Sequence, residues 1–204
     1  MIQDDTYKTL TAPSKGSYKE KGSRFLAFAF PVVSDEEVKE QLAFLRKEYH
    51  DARHHCYAYR LGSDKSVYRI NDDGEPSGTA GRPIYGQIVS NDLTQILIVV
   101  VRYFGGVKLG VPGLINAYKR ATKDALDKAV IITKMVQEEY VILFDYIVMN
   151  KVMKILKEDN AVIIQQDSGE SCRIVFSIRK NSGQKISARL QKISNVLLTL
   201  QNVY

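Results

Sequence analysis

The sequence predicts a two-domain α+β protein. Amphipathic segments with helical spacing alternate with short apolar runs typical of strands, and this pattern restarts near residue 134. A length of 204 residues, with 45% hydrophobic and 25% charged residues, suits two small domains that each bury a core. We place the domains at residues 1–134 and 135–204.

The first domain opens with an aromatic, alternating run over residues 23–30, which favours a strand ended by Pro31. Ser34 then precedes Glu36, Glu37 and a helical spacing of apolar residues, so a capped helix is expected to about Tyr49. The remaining expected elements are strands at 54–61 and 66–70, a short helix capped by Thr79, a buried strand at 94–103 and a second helix at 113–130.

The second domain follows a different order. Strand patterns at 138–145, 161–166, 171–179 and 195–203 surround helical patterns at 147–157 and 182–194. This βαββαβ order is that of the ferredoxin-like split βαβ fold, and it follows from periodicity and turn residues alone.

Two glycine-rich loops flank the buried strand of the first domain. One runs from Asp72 to Gly81 and is followed by Arg82, and the other runs from Arg102 through Gly105, Gly106 and Lys108 to Gly110. Glycine at this density indicates backbone that turns sharply or approaches another group closely. Basic side chains beside amides that precede helices form a candidate anion site, and phosphate is the ligand this favours.

Three motifs also carry a resemblance to a known family: Arg53-His54-His55-Cys56, Asp72 to Gly81, and Val99 to Gly110. Together they resemble the bacterial branch of the IMPACT family, the YigZ-like proteins. The resemblance implies an N-terminal left-handed βαβ domain like elongation factor G domain IV and a small-subunit ribosomal protein domain. It also implies a C-terminal ferredoxin-like domain similar to elongation factor G domain V, and a link to the control of translation.

The candidate residues for nucleic-acid or anion binding are basic side chains and loop glycines. In the first domain they are Arg53, His54, Arg82, Arg102, Gly105, Gly106, Lys108 and Gly110. In the second domain, basic residues recur at helical spacing and would form one basic surface: Lys151, Lys154 and Lys157, then Lys185, Arg189 and Lys192. The alternative is that these are solvated helix faces.

The acidic loop motif comprises Asp72, Asp73, Gly74, Glu75, Gly78, Thr79 and Gly81. Its acids are expected to form a solvated turn with Glu75 facing Arg82, and a divalent cation site is the alternative. Arg102 either binds phosphate or pairs with Asp72, Asp73 or Glu75 to hold the two loops together.

Catalysis is not required by any motif. His54 and Cys56 share one face of a strand, but Cys56 is expected to be a buried structural residue, so a hydrolase is the weaker alternative. The phosphate-binding loop of nucleotide hydrolases is absent. Neither a cofactor nor a metal is expected.

The sequence therefore predicts a protein that binds RNA or the ribosome and modulates translation. The net charge of +6 is compatible with acidic partners. Two cysteines without a disulfide pattern and the lack of an apolar leader favour the cytoplasm and no membrane partner. The alternative is a protein-interaction regulator, because eukaryotic IMPACT relatives inhibit a stress kinase pathway through its ribosome-bound activator. The oligomeric state is left open.

Overall fold

The computed structural model describes residues 5–169 and 171–204. The chain divides into two compact units. The N-terminal unit is Lys8–Lys134, and the C-terminal unit comprises residues 5–7 and Met135–Tyr204. Each combines helices with antiparallel sheet, which confirms the predicted α+β class.

The elements up to Met135 alternate between strand and helix. Their order is β1 (Thr6–Leu10), β2 (Ser14–Glu20), β3 (Ser23–Pro31), α1 (Asp35–Glu48), β4 (His54–Leu61), β5 (Val67–Asn71), α2 (Gly81–Ser90), β6 (Ile96–Tyr103), α3 (Gly110–Asp127) and β7 (Ile131–Met135). The short strands β1 and β7, which the sequence pattern did not reveal, pair in a two-stranded sheet.

The main sheet of the N-terminal unit has the strand order β2-β3-β6-β4-β5. Strand β6 lies at its centre and is buried on both faces, because residues 96–101 are all apolar. Both β3 and β4 run antiparallel to β6, so they are parallel to each other and α1 connects them as a βαβ unit. Apolar residues of α1 cover one sheet face, and those of α2 and α3 cover the other.

Helix α1 agrees with its prediction. The Ser34 hydroxyl accepts a hydrogen bond from the Glu37 N–H at 3.2 Å, and the Glu37 carboxylate accepts one from the Val33 N–H at 2.8 Å. This reciprocal arrangement satisfies two N–H groups near the start of the helix. Val38 and Leu45 are its buried anchors.

The other two helices of this unit begin differently from their predictions. Helix α2 begins after Ala80, and Thr79 does not cap it. Helix α3 begins at Gly110, three residues before the predicted start, with Pro112 in its first turn. Proline is tolerated there because the first-turn N–H groups have no partner within the helix.

The C-terminal unit has the ferredoxin-like order, as predicted. Its elements are β8 (Gln137–Asp145), α4 (Met149–Glu158), β9 (Val162–Asp167), β10 (Ser171–Arg179), α5 (Lys180–Leu190) and β11 (Val196–Val203). The strand order is β11-β8-β10-β9, and all neighbouring strands are antiparallel. Side chains of α4 and α5 pack on one face of this sheet around Ile142, Ile174 and Phe176.

Strand β2 lies unusually close to α3. The N–H of Ser17 donates to the Asp124 carboxylate at 2.8 Å, and the Ser14 hydroxyl donates to the Ala125 carbonyl at 2.9 Å. A Cβ atom added at Gly16 would lie 2.2 Å from the Ala125 backbone nitrogen. Only glycine therefore fits where this strand meets the helix.

We expect Gly16→Ala to lower the free energy of unfolding by about 1–3 kcal/mol, because β2 must move away from α3. The matched control is Gly86→Ala in α2, where an added Cβ meets no atom within 4 Å. The free energy of unfolding of this control variant should be about 0.5–1 kcal/mol higher than that of the parent, because alanine reduces the backbone entropy of the unfolded chain. Urea unfolding of both variants measures the difference, and equal stabilities would contradict the close packing of β2 on α3.

Candidate functional site

The two glycine-rich loops of the N-terminal unit meet at one end of the main sheet. In the register of that sheet, Arg102 on β6 lies between Phe25 on β3 and His54 on β4. A cavity of about 480 Å³ opens beside this row. Its lining residues are Arg53, His54, Glu75, Pro76, Arg102, Phe104, Lys108, Leu109, Gly110, Val111 and Leu114.

Arg102 and Glu75 form a buried ion pair at this cavity. The Arg102 Nη1 atom lies 2.6 Å from Glu75 Oε1, and the two side chains are only 7% and 4% exposed. The same oxygen accepts a hydrogen bond from the Tyr118 hydroxyl at 2.8 Å. Arg102 therefore holds the two loops together, which is one of the two roles predicted for it. The expected solvated turn with Glu75 facing Arg82 is wrong, since the Glu75 carboxylate is buried against Arg102.

The guanidinium of Arg102 keeps donor capacity beyond this pair. It lies over the rings of Phe25 and Phe104, 5.4 and 5.6 Å from their centroids. Within the described chain, its Nε atom is buried and has no hydrogen-bond partner. A guanidinium carries five N–H donors, so one salt bridge leaves several of them available.

Asp72 takes the capping role that the sequence assigned to Thr79. One carboxylate oxygen accepts the N–H groups of Ala80 and Gly81 at 3.0 and 2.8 Å, and the other accepts the Gly78 N–H at 2.8 Å. Burial alone would raise the pKa of this carboxyl, but the three hydrogen bonds outweigh it and hold the pKa below its usual range. The Thr79 hydroxyl instead donates to the Pro76 carbonyl at 2.7 Å.

Asp73 and His54 fix the edge of the cavity. The His54 Nδ1 atom lies 2.8 Å from the Asp73 carbonyl oxygen, so Nδ1 carries the proton that is donated. The Asp73 carboxylate accepts the His55 N–H at 2.6 Å. Asp73 and Gly74 both have positive φ, at 42° and 85°, which the tight turn between β5 and the loop requires.

Two cations at the cavity have no partner within the described residues. Arg53 and Lys108 are both exposed, and neither forms a hydrogen bond or an ion pair there. Gly110 and Val111, which also line the cavity, are the first residues of the 18-residue helix α3. The N–H groups and the dipole at a helix start favour negative charge, so these features add to the positive potential of the cavity.

Cys56 is not part of the cavity lining. Its side chain is fully buried, and the thiol donates to the Asp72 carbonyl at 2.9 Å. It also lies 3.3 Å from the Tyr118 hydroxyl. Burial raises the pKa of the Cys56 thiol. The thiolate that nucleophilic catalysis requires is therefore disfavoured at this position.

The structure brings together five of the eight anion-site candidates in the N-terminal unit: Arg53, His54, Arg102, Lys108 and Gly110. Arg82, Gly105 and Gly106 lie outside the lining. Gly105 has a packing role instead, because a Cβ atom there would lie 1.9 Å from the backbone of Gly22. Tyr118 was missed, although a tyrosine on the apolar face of a predicted helix indicates a polar tip that needs a partner.

The predicted basic surface of the C-terminal unit is partly neutralised. Lys185 and Arg189 on α5 pair with Asp159 at the end of α4, at 2.7 and 2.5 Å, and Arg189 also pairs with Glu158. Lys154 lies 4.0 Å from Glu158. Lys151 and Lys157 remain exposed. Helical spacing predicted that these cations share helix faces. It could not show that Glu158 and Asp159 lie beside them.

Other kinds of site find less support among the described residues. No group of three or more His, Cys, Asp or Glu side chains is arranged there to hold a metal ion. Across the same part of the chain, no helix is long and apolar enough to cross a membrane.

Fold and cavity together define a two-domain α+β protein with a cation-lined cavity in its N-terminal unit. Residues 21–126, which contain every lining residue, match the Impact N-terminal domain. The IMPACT family member YigZ of Escherichia coli strain K12 is 32% identical over 182 residues, which cover 88% of this chain and 89% of that protein. The chain belongs to the IMPACT family, which confirms the resemblance seen in its motifs.

Two further comparisons extend this result. Protein IMPACT of Mus musculus is 36% identical over 96 residues, which are 45% of this chain and 30% of that protein. The crystal structure of a hypothetical protein superimposes with a TM-score of 0.75 and 29% identity, covering 98% of this chain and 99% of the other. Both units therefore have a counterpart in a solved structure.

Removing Arg102 should destabilise the N-terminal unit, because Glu75 would be left as an unpaired buried charge. We expect Arg102→Met to lower the free energy of unfolding by about 3–5 kcal/mol. Adding Glu75→Gln should restore part of that loss, since the uncompensated charge disappears. Urea unfolding of the single and double variants measures the coupling. A single variant as stable as the parent would contradict the structural role of the pair.

Asp72 should give the protein a specific acid sensitivity. Its folded pKa is lowered, so its stabilisation is present above the unfolded pKa of about 3.9 and is lost as pH falls through the folded pKa. Asp72→Asn should lower the free energy of unfolding by about 1–2 kcal/mol at pH 7, and the difference from the parent should shrink below about pH 4. Asp127→Asn, at an exposed ion pair, is the control and should change stability little. A deficit independent of pH would contradict this role.

Proposed function

We propose that the protein binds RNA through phosphate groups held at the cavity of the N-terminal unit, and that this binding modulates translation without catalysis. The observation that carries the proposal is a pair of cations, Arg53 and Lys108, that have no partner in the described part of the chain and lie at a cavity where helix α3 begins. Ribosomes and most RNA partners of such a protein are cytoplasmic, so we place its action there.

The charge distribution supports this proposal over a general basic surface. The three acids of the glycine loop are all engaged internally: Asp72 by backbone N–H groups, Asp73 by the His55 N–H, and Glu75 by Arg102. These carboxylates keep their charge, but among the described residues none of the three forms an ion pair with Arg53 or Lys108. The lining holds three arginine and lysine side chains against the single carboxylate of Glu75, and a concave site with net positive charge attracts polyanions.

The family supports the translational part of the proposal. The resemblance to IMPACT proteins implies a link to translational control, and the matched domain at residues 21–126 is the part of the chain that holds the cavity. A role in translation requires a binding site for a component of that machinery. RNA phosphate is the ligand that fits the exposed cations best.

A non-catalytic role fits the chemistry of the buried groups. The Cys56 thiol is held protonated by burial, and the Glu75 carboxylate is committed to Arg102 and Tyr118. The His54 Nδ1 proton is donated to the Asp73 carbonyl. Nucleophilic catalysis needs an activated nucleophile within reach of a base, and the cavity lining does not present that arrangement.

A second candidate function is the recognition of a protein partner. Phe104, Val107 and Val111 are each more than half exposed and lie on the same segment that borders the cavity. Exposed apolar side chains in one place favour a protein interface. This surface, Phe104 with Val107 and Val111, is the observation that keeps a protein-interaction regulator in consideration.

Binding of labelled RNA to the full chain at several salt concentrations tests the first function. We expect a linear fall of log affinity with log salt concentration, and Lys108→Gln should reduce the slope by about 0.7 for a single strand. The control is Lys157→Gln, an exposed lysine of the C-terminal unit, which should leave the slope near that of the parent. Affinity that does not change with salt would contradict phosphate binding.

Pull-downs with Lys108→Gln and with a further variant, Val107→Ser, separate the two candidate functions. A cytosolic protein that is retained by the parent and by Lys108→Gln in nuclease-treated extract, but lost with Val107→Ser, would favour protein recognition. Retention that the nuclease treatment abolishes, and that Lys108→Gln weakens in untreated extract while Val107→Ser leaves it intact, would favour the RNA function.

A further inference from the structure

We propose that the cavity receives one nucleotide that carries a terminal phosphomonoester, with the base in the apolar interior and the phosphate at the cationic mouth. This proposal rests on the proposed function and names the chemical class that its site recognises. A free nucleoside monophosphate and the phosphorylated end of an RNA strand share this chemistry.

The first argument is charge. Arg102 and Glu75 cancel each other inside the cavity, so Arg53 and Lys108 supply two net positive charges. A phosphomonoester carries about −1.5 to −2 charges at pH 7, whereas each diester of an RNA backbone carries one. The cavity therefore matches a terminal phosphate better than an internal one.

The second argument is the nature of the walls. A phosphate alone requires donors and positive charge, yet Pro76, Phe104, Leu109, Val111 and Leu114 make much of the lining apolar. A volume of about 480 Å³ is in the usual range of roughly 300–1,000 Å³ for small-molecule sites. An aromatic or aliphatic moiety must therefore accompany the anion, and a nucleobase supplies one.

Phe104 is positioned to hold that base. Phe104 is 57% exposed and has the Arg102 guanidinium 5.6 Å from its ring centroid, so its ring lies between the mouth and the floor of the cavity. Bases stack on exposed aromatic rings with little sequence selectivity. A base in the interior would also lie near the Arg102–Glu75 pair, whose donors and acceptors suit the polar edge of a base.

The depth at which each lining residue lies indicates how the nucleotide is oriented in the cavity. Arg102 and Leu114 are 6% and 5% exposed, so they form the floor. Arg53, Lys108 and Gly110 are exposed and lie at the mouth, where α3 begins. The phosphate consequently stays near solvent, and the base is the part that loses water on binding.

The test compares short RNA oligonucleotides of one sequence that carry a 5′-phosphate, a 3′-phosphate or hydroxyls at both ends. We expect at least one phosphorylated form to bind the full chain about tenfold more tightly than the hydroxyl form, because its end carries the extra charge. Lys108→Gln and Arg53→Gln should abolish this preference. Arg82→Gln, an exposed arginine outside the lining, is the matched control and should retain it.

Competition experiments show whether the site takes a free nucleotide as well as an RNA end, and whether the base contributes to binding. Adenosine monophosphate should displace the phosphorylated RNA, inorganic phosphate should do so at least tenfold less well, and Phe104→Ala should reduce that difference.

Equal binding of phosphorylated and hydroxyl RNA, both sensitive to Lys108→Gln, would overturn the terminal-nucleotide inference and leave the RNA function intact. Binding of the monophosphate without any RNA binding would support the nucleotide site and overturn the RNA function. Inorganic phosphate as effective as the monophosphate would overturn the role of the base.

Discussion

The ion pair between Arg102 and Glu75 is the interaction on which the candidate site depends. Arg102 stands at the end of the central strand, Glu75 belongs to the glycine loop, and Tyr118 from α3 donates to the same carboxylate oxygen. One buried oxygen thus joins a strand, a loop and a helix. An unpaired charge in this position would cost several kcal/mol, so the loop is held against the sheet and the cavity keeps its shape before any ligand arrives.

The glycine loop uses its negative charges to organise its own backbone. Asp72 accepts three N–H groups around the start of α2, which permits the chain to turn there without a side-chain cap from Thr79. Asp73 performs a similar task for the His55 N–H. The two carboxylates thus hold the loop in shape, and among the described residues neither forms an ion pair with the cavity cations Arg53 and Lys108. The positive character comes from Arg53 and Lys108, which come from other loops.

Sequence patterns predicted those features that depend on local spacing. Ser34 and its acidic first turn identified α1, and the alternation of strand and helix patterns identified the ferredoxin-like order of the C-terminal unit. Patterns failed where a polar group finds its partner across the fold. The acid that pairs with Arg102 was left among three choices, and the Asp72 cap was assigned to Thr79, because the chain path from residue 72 to residue 81 has no periodic signal. Lys185 and Arg189 show the same limit, since Asp159 is adjacent only after α4 and α5 pack.

The contrast between the two sets of cations explains why the N-terminal cavity is the better candidate for binding. On α4 and α5 the basic residues are regularly spaced, but acids at the end of α4 reduce their net charge, and they lie on helix surfaces open to water. At the cavity, fewer cations act together in a concave site beside a helix start, with partly apolar walls. Because a concave surface concentrates the field of charges that act together, these two cations, which have no partner among the described residues, contribute more to recognition than a longer row on an open surface.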